Sequence, residues 1–307
     1  MPQVNQYTID TVLTNMSIGF SNPELIAEKV FPRITVQSRT GFYYTFDKSK
    51  FRVENDRRTG ISRAQRVDYG MVKTAFGPLF EHSLEEGIEY EVRDTYPTPM
   101  DARADATENV AERLALGHEK AVADILTDTA IITQNVTLSG TDQWNDFANS
   151  DPFDDIETGM LKIQTEAMVT ANTAIMGYEV FAKLKHHPDL LGRMATSSIR
   201  VLTEDLLAAI IGVEQVLIGK AMRNTANEGQ ADVMGYVWGK NFILAYVTAT
   251  PGIKKVSLGY TLTLLNGRTV DRWDETWNKA EFVRATDYYE AKLVAAVAAY
   301  LIKNAIG

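Results

Sequence analysis

The stretch TPMDARADATENVAERLALGHEKAVADILTD, Thr98 to Asp128, constrains this chain more than any other. Thr98 suits a helix N-cap, Pro99 the first helical position, and Asp101 the acidic place in a capping box. Asp101 and Asp105 favour the positive end of the helix dipole. Val110, Leu114, Ala121 and Ile125 fall on one stripe, with Ala111, Val122 and Leu126 beside it. The pattern predicts a helix over 98–128, about 45 Å at ~1.5 Å per residue, far longer than the usual ~11–12 residues. Such a helix reads as a strut.

Upstream, residues 1–40 read as an extended arm with one short helix, Pro23 to Phe31, capped by Asn22 and ended by Pro32. One short helix cannot bury itself, so the arm must lie against its own chain or another. GFYYTFDKSKFRV (Gly41 to Val53) and RVDYGMVKTAFGPLFEHSL (Arg66 to Leu84) alternate aromatic and β-branched residues and read as strands. Between them ENDRRTGIS has turn chemistry, so the pair reads as a long β-hairpin. Its polar end carries Arg57 and Arg58, with Arg63 and Arg66 just beyond. A two-stranded hairpin is marginal alone in water. The segment after it is acidic: Glu81, Glu85, Glu86, Glu89, Glu91 and Asp94. A basic hairpin beside an acidic strip points to charge pairing, within a subunit or between subunits.

Downstream, Asp151 caps a second helix that opens with Pro152, and a short strand, Asn172 to Met176, precedes a helix from Tyr178. In that helix Val180, Phe181 and Leu184 line one face. Lys185, His186 and His187 fall in the last turn, where the dipole favours cations, and Pro188 stops it. Adjacent histidines point about 100° apart, whereas metal-ligand pairs sit at i, i+4. The pair therefore reads as a helix end, with Asp189 a turn residue. His82 and His118 have no partner visible in the sequence. Thr203 caps a further helix to Ile211, and EQVLIG, VMGYVW and NFILAYV read as strands, the first two joined by the polar linker KAMRNTANEGQAD. Lys255 to Leu265 reads as a strand, and Asn266-Gly267 as a hairpin turn. The run from Ala291 is ambiguous: its alanines favour helix, its aromatic and β-branched members strand.

The chain has 307 residues, 45% hydrophobic and 23% charged, which is a globular profile. It has no cysteine, which excludes thiol catalysis and Cys-based zinc sites. Its net charge of −9 makes tight phosphate binding a poor expectation, since nucleic-acid readers carry a basic face. The N-terminus has neither a basic n-region nor an apolar h-region, and no stretch is apolar for the ~18 residues a membrane span needs. No phosphate-binding loop, nucleophile elbow or HExxH motif occurs. Asp154-Asp155 and Glu85-Glu86 read as helix termini or solvated faces. Trp273 and Trp277, four apart, read as core or interface packing. No catalytic residue, cofactor site or metal site is expected.

The order of parts (arm, basic-tipped hairpin, strut helix, compact α/β unit, closing strands) resembles the major capsid proteins of tailed bacteriophages, the Hong Kong 97-type fold. NTAIMGYEVFAKLKHHPDLLGR looks like the strand–helix unit of that family's axial domain. DYYEAKLVAAVAAYLIKNAIG looks like its C-terminal ending, which argues for strands there. The resemblance implies an α+β fold. Residues 1–40 would be the N-terminal arm and 41–95 the extended loop. Residues 96–154 and 256–290 would form the peripheral domain with spine helix 98–128, and 155–255 and 291–307 the axial domain. It implies a structural subunit of an icosahedral head that encloses a DNA genome, assembled in the bacterial cytoplasm and not an enzyme. Its partners would be itself, as pentamers and hexamers, with a portal and scaffolding or decoration proteins. Packaged double-stranded DNA would be touched only weakly, and no membrane is involved. No long N-terminal scaffold-like segment is seen, which implies a separate scaffolding protein or none. Lys48, Lys50, Lys73, Asn266 and Asn278 do not specify a covalent cross-link, so a non-covalent shell is expected. Arg57, Arg58, Arg63, Arg66, Glu85, Glu86 and Glu89 are the candidates for inter-subunit contact. The alternatives are an encapsulin-type compartment shell, which encloses an enzyme, and a soluble enzyme with an unrecognised site.

Overall fold

The computed structural model describes residues 8–9, 13–14, 24–46, 52–54, 56–61, 63–67, 70–95, 101–193, 202–252 and 257–307. The helices are α1 (Ala27–Val30), α2 (Tyr90–Thr95), α3 (Ala102–Thr127), α4 (Pro152–Ala167), α5 (Tyr178–Leu184), α6 (Pro188–Arg193) and α7 (Glu204–Ile211). The strands of a six-stranded sheet are β1 (Thr8–Ile9), β2 (Arg33–Val36), β5 (Phe80–Glu89), β12 (Gly259–Leu264), β13 (Thr269–Glu275) and β14 (Ala280–Leu293). A five-stranded sheet takes β6 (Asn135–Thr137), β7 (Thr173–Gly177), β8 (Gln215–Gly219), β11 (Phe242–Ala245) and β15 (Ala299–Lys303). Two ribbons complete the set: β3 (Gly41–Phe46) with β4 (Met71–Phe76), and β9 (Met222–Asn224) with β10 (Met234–Tyr236).

The strut helix is present over 26 residues, α3. Its N-cap is Asp101, which has extended backbone and accepts a hydrogen bond from the Arg103 N–H. Asp101 is therefore the cap and not the inner partner of a box begun at Thr98; residues 96–100 lie outside those described. The inward face holds Val110, Ala111, Val122, Ala123 and Leu126, but also the polar His118 and Glu119. These two blunt the apolar stripe, which is why the sequence pattern is centred slightly off the buried one. The N-terminal half of α3 packs Ala102, Ala106 and Val110 on Ile88, Val270, Val283 and Ala285 of the first sheet. The C-terminal half packs Val122, Ala123 and Leu126 on the second sheet. One helix thus joins both layers.

Along the second sheet, alternate side chains enter opposite cores, as the two-residue strand period requires. Phe242, Leu244, Tyr300 and Ile302 face α4, α5 and α7, while Ile243, Ala245, Ala299 and Leu301 face α1 and α3. The C-terminal run is strand as expected: β14 to Leu293, a 3₁₀ turn at Ala296–Ala298, then β15. Packing on both faces overrides the helical preference of its alanines.

Several local expectations are corrected. The arm helix is a single turn beginning at Ala27; Asn22 and Pro23 lie outside the described residues. The second hairpin run is two strands, β4 and β5, parted at Gly77-Pro78, because proline cannot donate to a ladder. The polar linker after Lys220 is not all loop, since Met222–Asn224 pairs with Met234–Tyr236. Asn266-Gly267 does not reverse the chain. Asn266 adopts φ 56° and the Gly267 N–H bonds the Leu264 carbonyl, yet β12 and β13 both run antiparallel to β14. Tyr289 pairs with Phe80 on one side and Thr263 on the other, and β13 likewise lies opposite β5. So β12 and β13 form one interrupted strand, and the Asn-Gly turn is a bulge between its halves. Beyond it, β2 runs parallel to β12 and β1 antiparallel to β13, so the described arm strands edge the sheet of their own chain.

Candidate assembly surfaces

The hairpin pairs β3 with β4 from Gly41↔Phe76 to Phe46↔Met71. Its base is fixed by a small core of Val36, Phe76, Leu79, Tyr260 and Leu262. Beyond the ladder, the described residues of 52–67 hold no regular structure. The Gln65 amide donates to the Glu54 carboxylate at 3.2 Å, so the two limbs stay close there. Arg57, Arg58, Arg63 and Arg66 all lie in this segment and are exposed. So are Val53 (96%), Ile61 (99%) and Val67 (72%). Isolated apolar side chains at such exposure are ordinary; here three fall within one loop.

The glutamates divide by strand alternation. Even-numbered residues of β5 face α3: Ile88 joins its core, and the Glu86 carboxylate accepts from Asn109 at 2.6 Å. Odd-numbered Glu81, Glu85 and Glu89 are exposed on the other face, Glu81 accepting from the Tyr288 hydroxyl. Glu85 and Glu89 therefore share a face, ~13 Å apart, and Glu86 is set apart from them. The arginine segment is a different element, with no strand pairing to β5.

Sequence reasoning missed Glu119. Its carboxylate is fully buried and accepts from the Ile26 N–H (3.0 Å), the Ala27 N–H (2.7 Å) and the Trp238 indole N–H (2.6 Å). It thereby caps α1, with Ile26, Ala27, Val30 and Phe31 buried around it, and fastens the arm to the strut and to the second sheet. Each such apolar side chain larger than alanine contributes about 1.5–3 kcal/mol on burial. Burial pushes the Glu119 pKa up; the three donors pull it part of the way back. A glutamate amid an apolar helical stripe was the available signal.

Three of the four histidines, and one member of each acidic pair, have partners within the fold. α5 ends at Leu184, one turn earlier than expected, and Pro188 both stops it and opens α6. The His187 Nδ1 accepts from the Asp189 N–H at 3.4 Å, and its Nε2 lies 3.1 Å from the Ser150 hydroxyl. Ser150, His187 and Asp189 thus lie in the order of a hydrolase triad, but the protons are wrong for one. Ser150 already donates to the Asp146 carbonyl at 2.7 Å, so Nε2 must be the donor; Nδ1 then accepts from the Asp189 N–H, with the Asp189 carboxylate 3.5 Å away. Burial lowers the His187 pKa. His118 bonds the Thr261 hydroxyl at 2.9 Å, and His82 stacks on Tyr289. Asp155 accepts from the buried Trp144 indole at 2.9 Å. Burial pushes the buried Glu281 carboxyl up, but hydrogen bonds from Arg103 and Arg93 outweigh it and hold its pKa below the ordinary value. Trp273 stacks on Phe282, whereas Trp277 is 87% exposed. Among the described residues no His, Asp and Glu cluster suits a metal ion, and no helix is long and apolar enough to cross a membrane. The cleft of about 770 Å³ between α3 and the β9–β10 ribbon is lined by no histidine, serine or threonine.

Two sheets joined by one strut, with a hairpin whose exposed end takes no strand partner among the described residues, fit a subunit completed by copies of itself. Comparison with known proteins agrees. The family description "Phage major capsid protein E" matches residues 119–229. The major capsid protein of Burkholderia phage BcepMu is 32% identical over 97% of both chains. A phage-related protein of Bordetella bronchiseptica, solved by crystallography, superposes with a TM-score of 0.79 at 28% identity over 98% of each chain. The capsid of cyanophage P-SCSP1u superposes at 0.60, with 9% identity, over 91% of this chain and 88% of that one, a likeness of fold alone. The chain belongs to the phage major capsid proteins, with the Hong Kong 97-type fold. It is a structural shell subunit of the virion and assembles with copies of itself.

Proposed function

We propose that the shell encloses a double-stranded DNA genome and that its copies meet as pentamers and hexamers through the arm and the hairpin. The first sheet with the N-terminal half of α3 is the peripheral unit, and the second sheet with α4, α5 and α7 the axial one. The pairing of β6 with β15 supports a boundary between them at the end of α3 rather than at 154/155. Residues 1–40 are the arm and 41–95 the extended loop, within which β5 belongs to the peripheral sheet. Arg57, Arg58, Arg63 and Arg66 meet a neighbour's Glu85 and Glu89, while Glu86 serves its own chain. Many weak contacts in a closed shell reinforce one another. A portal and scaffolding or decoration proteins complete the head, assembly takes place in the host cytoplasm, and the subunit performs no catalysis. The net charge of −9 suits a wall that does not hold its DNA, because phosphate binding needs cations. Relatedness to phage capsid proteins favours a genome container over an enzyme-filled compartment.

The observation that carries the contact assignment is the hairpin. Beyond its six paired positions, the described residues of its distal segment are exposed, basic and apolar, and take no strand partner among the described residues. Deleting residues 54–62 tests it. The shortened chain folds, by circular dichroism, but sediments as small species. Normal shells from it would refute the assignment.

A further inference from the structure

β5 pairs β14 along one edge, from Phe80↔Tyr289 to Glu89↔Ala280, and its other edge meets no strand among the described residues. A ten-residue open edge presents a row of backbone donors and acceptors ready for another strand. Its side chains restrict which strand fits. Glu81, Glu85 and Glu89 recur on one exposed face, ~13 Å apart at ~3.4 Å per residue. On the other face Phe80 (60%) and Leu84 (40%) are exposed. Two copies of β5 laid edge to edge would set glutamate against glutamate, which is destabilising. The edge therefore selects a strand that is basic and partly apolar.

A segment at the distal end of the hairpin fits. Residues 61–67, ISRAQRV, hold two arginines, no acid and no proline. Ile61 and Val67 are among its most exposed apolar residues. The opposite limb, 52–58, carries Glu54 and Asp56 and suits an acidic edge less well. In an extended conformation Ile61, Arg63 and Val67 share one face and Arg66 takes the other. That arrangement puts Ile61, Arg63 and Val67 on the side of Phe80 and Leu84, and Arg66 on the side of the glutamates.

We propose that the open edge of β5 receives the limb 61–67 of a second copy as an added strand, held by backbone bonds and selected by charge. This deepens the reading of the hairpin as an inter-subunit contact and rests on it. Strand addition of this kind takes affinity from the main chain and selectivity from alternate side chains.

The absence of cysteine makes a clean test possible. Two single variants, Arg66→Cys and Glu85→Cys, are mixed, assembled and oxidised, then run on a non-reducing gel. The expected result is a mixed dimer at twice 34.2 kDa. Shells that form with no mixed dimer, across Glu81, Glu85 and Glu89 against Arg66, would overturn the docking site while leaving the hairpin reading intact. A chain carrying both cysteines that closes only on itself would overturn it equally. Normal assembly after deletion of 54–62 would instead remove the hairpin reading beneath it. Charge reversal gives a second measurement: Glu85→Arg with Glu89→Arg, or Arg66→Glu, lowers shell yield about tenfold or more, since like charges now face each other. Combining both reversals restores the yield; persistent loss would count against the pairing.

Discussion

Replacing Glu119 by alanine loosens the arm. The substitution leaves three buried donors without an acceptor: the Ile26 and Ala27 N–H groups and the Trp238 indole. A buried unsatisfied donor costs about 1–3 kcal/mol, so the three together set an upper range of about 3–9 kcal/mol. Two effects reduce it. The carboxylate's own burial is unfavourable, as its raised pKa records, and removing it recovers that cost. Water admitted to the vacated space satisfies part of the donors. A net loss of about 2–4 kcal/mol follows, concentrated where α1 meets α3. Urea unfolding of the unassembled subunit measures the loss, and limited proteolysis locates it in residues 24–32. Glu119→Gln keeps the shape and one acceptor oxygen but sets an amide N–H₂ against a donor, so it falls between parent and alanine. An alanine variant within about 0.5 kcal/mol of the parent, with the arm equally resistant, would refute the clamp, since substitutions away from such features stay within that range.

His118 makes stability depend on pH. Burial, then the charge of Arg33 and of His82, lowers its pKa from 6.5 to about 4, against a small opposing effect of Glu28. Between those values the unfolded chain takes up a proton that the folded chain refuses, so stability falls as pH falls. The loss reaches about 3 kcal/mol below pH ~4, at ~1.36 kcal/mol per pH unit; the difference in urea midpoints between the parent and His118→Gln, followed from pH 7 to 4, isolates it. Gly177 opens α5, and a Cβ there would stand 1.8 Å from the Gly239 carbonyl oxygen, a backbone atom that cannot swing aside. Gly177→Ala is expected to yield insoluble protein or lose about 3 kcal/mol or more, whereas Gly192→Ala, with open space at its Cβ, is neutral or slightly stabilising by thermal melt.

Much of the architecture was legible because it rests on local grammar. α3 and α4 announce themselves by aspartates and apolar spacing, and β3 and β4 by aromatic alternation. Features settled by distant partners were not legible. The Asn266-Gly267 turn looks identical in a hairpin and in a bulge; what decides is that β14 is long enough to pair β12 and β13 in succession. The strand β9 is three polar or flexible residues, recognisable only beside β10. Adjacent Glu85 and Glu86 read alike, and only the seating of β5 under α3 sends Glu86 to Asn109 and leaves Glu85 outside. The partners of His118 and Glu119, namely Thr261, Trp238 and the arm, lie far away along the chain and leave no local mark in the sequence.

The central claim is that this chain builds a closed shell from copies of itself. Analytical ultracentrifugation of the purified chain, with negative-stain microscopy of the same sample, tests it most directly. Rings or closed shells, formed alone or on addition of a scaffolding protein, are the predicted result. A species that stays monomeric or dimeric at high concentration under both conditions would contradict the account.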